Sequence, residues 1–404
     1  MRRLVNKRIV IGITGGISAY KSAFLVRILR KNGADVRVVM TKNACEFVTP
    51  LTFQALSSRP VHTELLDLDA EAAMGHIELA KWADLIIIAP TSANFLARYA
   101  HGFAEDLLST LCLAADSPVM LAPAMNQNMW LNKATQENLN KIKQWGIKVV
   151  APSEGEQACG DDGPGRMAEP EEIAKFAADI FRTNILTGSR LLVTAGPTRE
   201  AIDPIRFLSN GSSGRMGYAI ASAAVEAGAE VTLISGPVNI EAVGVEKIIR
   251  VTSAEEMCSS VMKKINTTDI FISAAAVSDY TFQNISKKKI KKIEDTCQLI
   301  LHKTPDILAK VAALNNAPFT VGFAAETENL EMNAKEKLDL KNLNMIAANK
   351  VGKQIGIDSE DNELTVFWGS GQEELPLNSK NKLARKLIEL IAFQYNEENS
   401  NKTH

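Results

Sequence analysis

The sequence predicts two doubly wound, Rossmann-like parallel-sheet α/β domains in tandem. Three observations carry this. Short apolar runs of strand character alternate with helical stretches along the chain. Residues 8–14 (RIVIGIT) and 190–196 (RLLVTAG) each run into a glycine turn. Beyond each turn come a helix, a Gly-Ala-acidic link (33–35 or 228–230) and a second strand. Such a strand–helix–strand unit closes as a parallel crossover.

The elements follow in order. A first helix is expected over 18–32, ended by Gly33, and a second strand over 35–41. Residues 83–90 (ADLIIIAP), 118–123 (PVMLAP) and 147–152 (IKVVAP) have the apolar pattern of strands buried on both faces. Each ends before a polar segment, and ligands of open α/β sheets bind at such carboxyl ends. A boundary falls within 183–189 (TNILTGS), dividing the chain into 1–188 and 189–404. Behind it a helix over 213–227 and a strand over 229–235 repeat the first pattern. The final NEENSNKTH reads as a frayed polar tail.

Composition narrows the function. A chain of 404 residues exceeds one average domain. With 46% hydrophobic and 23% charged residues it has the material for a core and is not a disordered chain. A formal charge of −2 lacks the basic excess of a general nucleic-acid binder. No apolar run reaches the roughly 18 residues that span a bilayer. The apolar stretch from Ile9 is broken by Gly12, Gly15 and Gly16 and followed by Lys21, so it reads as a strand, not a secretory leader. Five cysteines without a CxxC or Cys/His pattern make neither a disulfide framework nor a zinc site. The expectation is a cytoplasmic protein with reduced thiols and no nucleic-acid or membrane partner.

Gly15, Gly16 and Ser18 follow the first strand, where free amides at a helix start bind phosphate or simply complete a tight turn. GITGGIS is not a GxGxxG fingerprint, and Thr41 stands where an acidic residue would hold a ribose, which disfavours NAD. His76, in GHIELAKWAD, reads either as a structural histidine or as an acid–base group. Asn126, in PAMNQNMW, either caps a helix or holds a carboxylate. Cys159 lies in the glycine-rich acidic loop ACGDDGPGRM, where a thiol is either inert or exposed for reaction.

In the second half, the glycines and serines of 194–217 suit phosphate binding. Asp279, at the end of SAAAVSDY, caps a turn or holds Mg2+ on phosphates. The run KKKIKK (287–292) is a solvated loop or a cation source for a ligand; it is too short and too poor in aromatics for a nucleic-acid patch. Lys337 and Lys341 lie four apart on one helix face, either wet or directed at phosphate.

Taken together, PAMNQNMW, ACGDDGPGRM and the His76 segment resemble the flavin-containing cysteine decarboxylases. Over nearly its full length the chain resembles more closely the bacterial bifunctional coenzyme A biosynthesis family. There a phosphopantothenoylcysteine decarboxylase precedes a phosphopantothenate–cysteine ligase. The resemblance implies FMN in the first half, near Gly15, Ser18, Thr41, Ser92 and Asn94. Oxidation of the substrate's thiol carbon puts its carboxylate β to an electron sink, so carbon dioxide leaves as an enethiolate forms. By resemblance His76 acts as acid–base in that step, Asn126 orients the carboxylate, and Cys159 donates the proton in the closing reduction.

SNGSSGRMG around Asn210, KIKK (289–292), TPDI (304–307) and GFAAET (322–327) match the ligase half of that family. The resemblance implies activation of 4′-phosphopantothenate by CTP, with loss of pyrophosphate, and then attack of cysteine on the acyl-cytidylate. It implies nucleotide contacts at Ala275, Asp279, Lys289, Thr304, Pro305, Asp306, Ile307, Phe323, Lys337 and Lys341, Mg2+ at Asp279, and Asn210 in the second step. CTP rather than ATP follows only from the fused bacterial form. Asn344 and Lys350 depart from the aspartates frequent in related ligases. The resemblance further implies a homo-oligomer, trimers and dimers combining into a dodecamer. The other function class is a non-catalytic flavin-binding regulatory subunit on the same fold, against which intact His76 and Cys159 speak.

Overall fold

Strands flanked by helices on both faces are buried along their length, and residues 9–13, 85–91 and 191–195 are. The structure, a computed structural model, describes residues 4–65, 75–240, 242, 244–291, 298–350, 359, 361–369 and 371–402. It divides into two units, Met1–Phe181 and Arg182–His404.

The first unit opens with β1 (Arg8–Ile13), α1 (Ala19–Lys31), β2 (Asp35–Met40), α2 (Lys42–Cys45), α3 (Pro50–Ser57) and β3 (Val61–His62). It continues with α4 (Gly75–Trp82), β4 (Leu85–Thr91), α5 (Ala93–Ala100), α6 (Leu107–Ala114) and β5 (Val119–Pro123). Then come α7 (Gln127–Leu131), α8 (Lys133–Gln144), β6 (Lys148–Val149), the pair β7 (Ser153–Glu156) and β8 (Asp162–Arg166), and α9 (Pro170–Ile180). The six-stranded sheet has the order β3-β2-β1-β4-β5-β6, every pairing parallel. Ile9, Ile11 and Ile13 pack against α1 and α9 on one face. Val10, Ile86 and Ile88 pack against α5 and α6 on the other. Strand order reverses between β1 and β4, the position where doubly wound sheets open a crevice for a ligand. Of the strand expected over 147–152 only Lys148–Val149 pairs, as the edge of the sheet. The acidic loop expected around Cys159 is the tip of the antiparallel β7–β8 hairpin, outside the main sheet.

The second unit begins with β9 (Arg190–Ala195), the ribbon β10 (Arg199–Ala201) and β11 (Phe207–Ser209), α10 (Arg215–Glu226), β12 (Glu230–Ser235) and β13 (Lys247–Arg250). There follow α11 (Ala254–Lys264), β14 (Ile270–Ser273), the ribbon β15 (Tyr280–Phe282) and β16 (Leu301–Lys303), α12 (Ile307–Ala312) and β17 (Phe319–Glu326). The unit closes with α13 (Leu330–Leu340), β18 (Met345–Lys350), β19 (Asp361–Trp368), β20 (Gly371–Ser379) and α14 (Lys380–Lys402). Its sheet has the order β13-β12-β9-β14-β17-β18-β19-β20. It is parallel as far as β18, and β19 and β20 add antiparallel strands. β19 alternates in burial and β20 is largely exposed, whereas the central parallel strands β9 and β14 are almost wholly buried, which is why the last two read weakly as strands. One core joins this sheet to α10 and α14, and a second lies under α11 and α12.

The Gly-Ala-acidic link does the same work twice. Gly33 (φ +86°) and Gly228 (φ +87°) stop α1 and α10 in the left-handed region, which glycine enters without steric cost. The tail, by contrast, is not frayed through Lys402. Buried Leu387 and Ile391 anchor α14, whose last turns hold Glu398 within 2.8 Å of Asn344 Nδ2. Among the described residues no helix is long and apolar enough to cross a membrane.

Candidate active sites

In the first unit the chemistry-bearing residues gather where β5 meets the β7–β8 hairpin. Asn126 follows β5, and its side-chain oxygen accepts from the amide of Asn128, 2.8 Å away, capping α7. The same side chain does more than cap. Its Nδ2 lies 2.8 Å from Asp161 Oδ2, 3.3 Å from Cys159 Sγ and 3.4 Å from Gln157 Oε1. The exposed Cys159 thiol also donates to Asp161 Oδ2 at 3.3 Å. Asp161 is held below the usual carboxylate range, first by the Asn126 amide and then by the Cys159 thiol.

The hairpin is seated by close backbone approach. The amide of Met125 donates to the carbonyl of Gly165 at 2.9 Å. Gly165 has φ +143°, and a Cβ there would stand 2.3 Å from the carbonyl oxygen of Met125. Gln157 closes the seam, accepting from the amide of Gln127 at 3.0 Å and donating to the carbonyl of Pro164 at 3.1 Å. Sequence reasoning missed Gln157 and Asp161, although Asp161 lies in the acidic loop already singled out for Cys159 and Gln157 immediately precedes it. His76, in the first turn of α4, is half-buried and has no hydrogen-bond partner among the described residues. The structure brings Asn126 and Cys159 together, and among the described residues no hydrogen bond joins His76 to either.

The five residues expected near a cofactor follow β1, β2 and β4 at their carboxyl ends. Ser18 holds the N-cap position of α1 but makes no side-chain cap bond. Its backbone is already helical there (φ −66°, ψ −2°), whereas a capping side chain needs extended backbone. Thr41 and Ser92 do cap, accepting from Ala44 at 3.3 Å and Phe95 at 3.2 Å. Asn94 is exposed in the first turn of α5. Gly16 has open space where a side chain would be, while a Cβ on Gly15 would meet Asn43 at 2.6 Å. The ends of β1 and β4 therefore present an uncommitted hydroxyl, an exposed amide side chain and bare backbone at the switch point.

In the second unit a cleft of about 520 Å³ opens at the carboxyl ends of the parallel strands. Asn210, Ala275, Asp279 and Phe323, all expected from the sequence, line it. Asn210 Nδ2 donates to the carbonyl of Val277 at 2.9 Å. The wall also includes Ser212 and Ser213 of the glycine- and serine-rich stretch, and Asn349, Asn362 and Lys380, which sequence reasoning missed. Asn362 is 5% exposed, its Oδ1 has no hydrogen-bond partner among the described residues, and it sits at a register shift in β19.

The remaining expected contacts lie beyond the cleft wall. Thr304 is tied to it, its amide donating to the carbonyl of Asp279 at 2.9 Å and its hydroxyl to that of Ser278 at 2.6 Å. Pro305 follows, and Asp306 caps α12 by accepting from Ala309 at 3.0 Å. The Ile307 side chain is buried in the core, so only its backbone could meet a ligand. Lys341 pairs with Asp306 at 2.7 Å and Lys337 with Glu326. Burial pushes both carboxyls up, but Lys341 with the Ala309 and Leu308 amides, and Lys337 with Asn333, together outweigh it and hold Asp306 and Glu326 below the ordinary range. Lys289 is exposed in an irregular segment, and Lys292 lies outside the described residues. Asn344 is structural: its Oδ1 accepts from the Thr320 amide at 2.7 Å and the Thr320 hydroxyl at 3.0 Å. Among the described residues no three His, Cys, Asp or Glu side chains cluster as metal ligands.

Two family models cover the chain: Flavoprotein over residues 1–182, and the DNA/pantothenate metabolism flavoprotein C-terminal domain over 186–394. The chain is 54% identical to the coenzyme A biosynthesis bifunctional protein CoaBC of Vibrio cholerae, across 98% of this chain and 100% of that protein. The chain belongs to this family. The CoaBC proteins of Escherichia coli K12 (48% identical, 98% of this chain and 99% of theirs) and Bacillus subtilis 168 (43%, 96% and 97%) agree over the same span. In this bifunctional coenzyme A biosynthesis enzyme, the sheet with the Asn126–Cys159 seam is the flavoprotein domain. The sheet with the Asn210 cleft is the pantothenate-metabolism domain.

Proposed function

We propose that the second unit ligates cysteine to 4′-phosphopantothenate with CTP, and that the first decarboxylates the resulting 4′-phosphopantothenoylcysteine to 4′-phosphopantetheine with FMN. The observation that carries the reading is the meeting of Asn126, Cys159 and Asp161 in a unit of the flavoprotein family. A hydrogen-bonded amide beside an exposed thiol is a carboxylate-binding group beside a proton donor.

The residues present fit FMN. Its phosphate suits the bare amides and free Ser18 hydroxyl at the start of α1, and Thr41, Ser92 and Asn94 border the same carboxyl edge. When bound, FMN takes up and returns the electron pair, so the overall decarboxylation involves no net oxidation. The protein's own part is positional and protonic. The Asn126 amide exchanges its Asp161 partner for the substrate carboxylate. The Cys159 thiol delivers its proton to the enethiol carbon, with Asp161 as its hydrogen-bond acceptor in the resting site. His76 serves acid–base chemistry at the carboxylate-loss step. That His76 makes no hydrogen bond to Asn126 or Cys159 among the described residues of one chain is in keeping with a homo-oligomer in which a second copy completes the site.

In the ligase cleft, the carboxylate of 4′-phosphopantothenate attacks the α-phosphorus of CTP and pyrophosphate leaves. The amine of cysteine then displaces CMP. Lys289 neutralises charge on the triphosphate in the first step, and Asp279, the carboxylate lining the cleft, would hold Mg2+, which when bound would add to that neutralisation. Lys337 and Lys341 join them by exchanging Glu326 and Asp306 for phosphate oxygens. Asn210 holds the acyl-cytidylate carbonyl for the second step. An exposed thiol in a working site suits a reducing, cytoplasmic setting.

The test is a mass spectrum of the purified protein with 4′-phosphopantothenate, cysteine, Mg2+ and either CTP or ATP. The expected result is 4′-phosphopantetheine, formed faster with CTP. Phosphopantothenoylcysteine alone would leave the first half without its activity. No turnover of either substrate would overturn the reading and favour a regulatory flavin-binding subunit.

A further inference from the structure

The basic run 287–291 is irregular and exposed, yet its backbone is pinned on both sides of Lys289. The amide of Ser286 donates to the carbonyl of Ile202 at 3.0 Å. The amide of Ile290 donates to Asp203 Oδ2 at 3.1 Å. Asp203 is 3% exposed, and its other oxygen accepts from the amides of Ile205 and Arg206, both at 2.8 Å. One buried carboxylate thus divides its oxygens: Oδ1 closes its own turn, and Oδ2 holds the residue after Lys289. The Arg206 guanidinium stands 3.7 Å from Oδ2.

This turn joins β10 to β11, and β11 runs directly into Asn210. Asp203 therefore couples the backbone at Lys289 to the ribbon that presents Asn210 to the cleft. A lysine on a free loop must be ordered when it meets a triphosphate, and that cost appears as weaker binding. We propose that Asp203 is a positioning residue for the ligase: it fixes the backbone at Lys289 so that the amine is delivered to the nucleotide's phosphates. The proposal rests on the reading of Lys289 as a nucleotide-binding residue.

Asp203→Asn separates the two roles. Its amide oxygen can still meet the donors of Ile205 and Arg206, which turns the NH2 toward the Ile290 N–H, donor against donor. The turn survives and the bond to the basic run is lost. The expected result is a KM for CTP raised about tenfold, the scale of one lost hydrogen bond to a charged acceptor, with kcat at saturating CTP nearly unchanged. Trypsin should also cut the native variant faster within 287–291. Ile290→Pro deletes the same bond from the donor side and should reproduce both effects even where Asp203→Asn folds poorly. An unchanged KM for CTP and unchanged cleavage in the two variants would overturn the proposal. So would a fall in kcat with neither change, since a merely structural role predicts that. Lys289→Ala runs beside them. If it releases pyrophosphate normally, the reading of Lys289 fails and the positioning role goes with it. If it is impaired while Asp203→Asn is normal, only the positioning role fails.

Discussion

The Asn126 amide lies 3.3 Å from the Cys159 sulfur, although 33 residues separate them in the chain. Asp161 accepts from both, so the three form one closed hydrogen-bond set. A thiol held this way is fixed in direction and kept beside the Asn126 amide. Cys159→Ser should therefore still release carbon dioxide but stop at the unsaturated enethiol, because a hydroxyl is a far weaker acid than a thiol. The saturated product should fall by about 10²- to 10⁴-fold, the usual worth of a general acid. Mass spectrometry of the released product distinguishes the two forms. Saturated product at the wild-type rate would remove Cys159 from this role.

Gly165 makes the set possible from outside it. Adding a methyl group there drives a carbon to 2.3 Å from the Met125 carbonyl and asks an L-residue to hold φ +143°. Backbone strain of that kind costs about 1–3 kcal/mol before the clash is counted. In Gly165→Ala the hairpin should lift from Met125 and carry Cys159 away from Asn126. Decarboxylation should fall by at least tenfold while the ligase rate stays at its wild-type value. Two separate assays on one preparation test this, and equal loss of both activities would mean general misfolding instead.

Much of this was legible in the sequence, for definite reasons. Parallel strands buried on two faces leave continuous apolar runs, and the left-handed glycines Gly33 and Gly228 mark the same helix end twice. Asn126 and Cys159 stood out because a polar residue at a strand's carboxyl end and a cysteine among glycines are uncommon in a core. What remained hidden depends on tertiary contact. Gln157, Asp161 and Asp203 act through partners that no spacing rule supplies. Asn362 lies on a strand whose alternation is weak, at a register shift visible only in the paired sheet. The long α14 was hidden by its polar end, which the Glu398 contact with Asn344 helps to hold.

Asn210 faces the carbonyl oxygen of Val277, donating to it at 2.9 Å. Asp at this position has no hydrogen to donate and would set a negative oxygen against that carbonyl. Asn210→Asp should therefore lose the hold on the acyl-cytidylate carbonyl while leaving the phosphate contacts in place. Pyrophosphate release should persist and the acyl-cytidylate should accumulate, with coupling to cysteine slowed by about 10²-fold or more, the scale for removal of one oxyanion donor. Quenched-flow chromatography of the intermediate tests this. Loss of pyrophosphate release would place Asn210 in the first step instead.

The opposite end of the same sheet offers a test of stability apart from chemistry. Arg190 and Asp269 form a two-pronged pair at 2.8 and 3.1 Å, and the Arg190 amide adds a third bond to Asp269 Oδ2 at 2.8 Å. They clamp the amino ends of β9 and β14, away from the cleft at the carboxyl ends. The Arg190 hydrogen bond holds the Asp269 carboxyl below its ordinary range. A carboxyl with a depressed native pKa stabilises the fold above its unfolded value, about 3.9, and loses that contribution as the pH falls through the native one. Asp269→Asn should thus destabilise the protein at pH 7 by roughly 1 kcal/mol, as expected for a half-exposed pair. The difference from wild type should stay level from pH 8 to about pH 5 and shrink toward zero in stronger acid. Urea midpoints across that range measure it, and ligase kinetics at pH 7 should not change. A difference that grew in acid would mean that Asp269 stabilises the fold in its protonated form, against the sign set by Arg190.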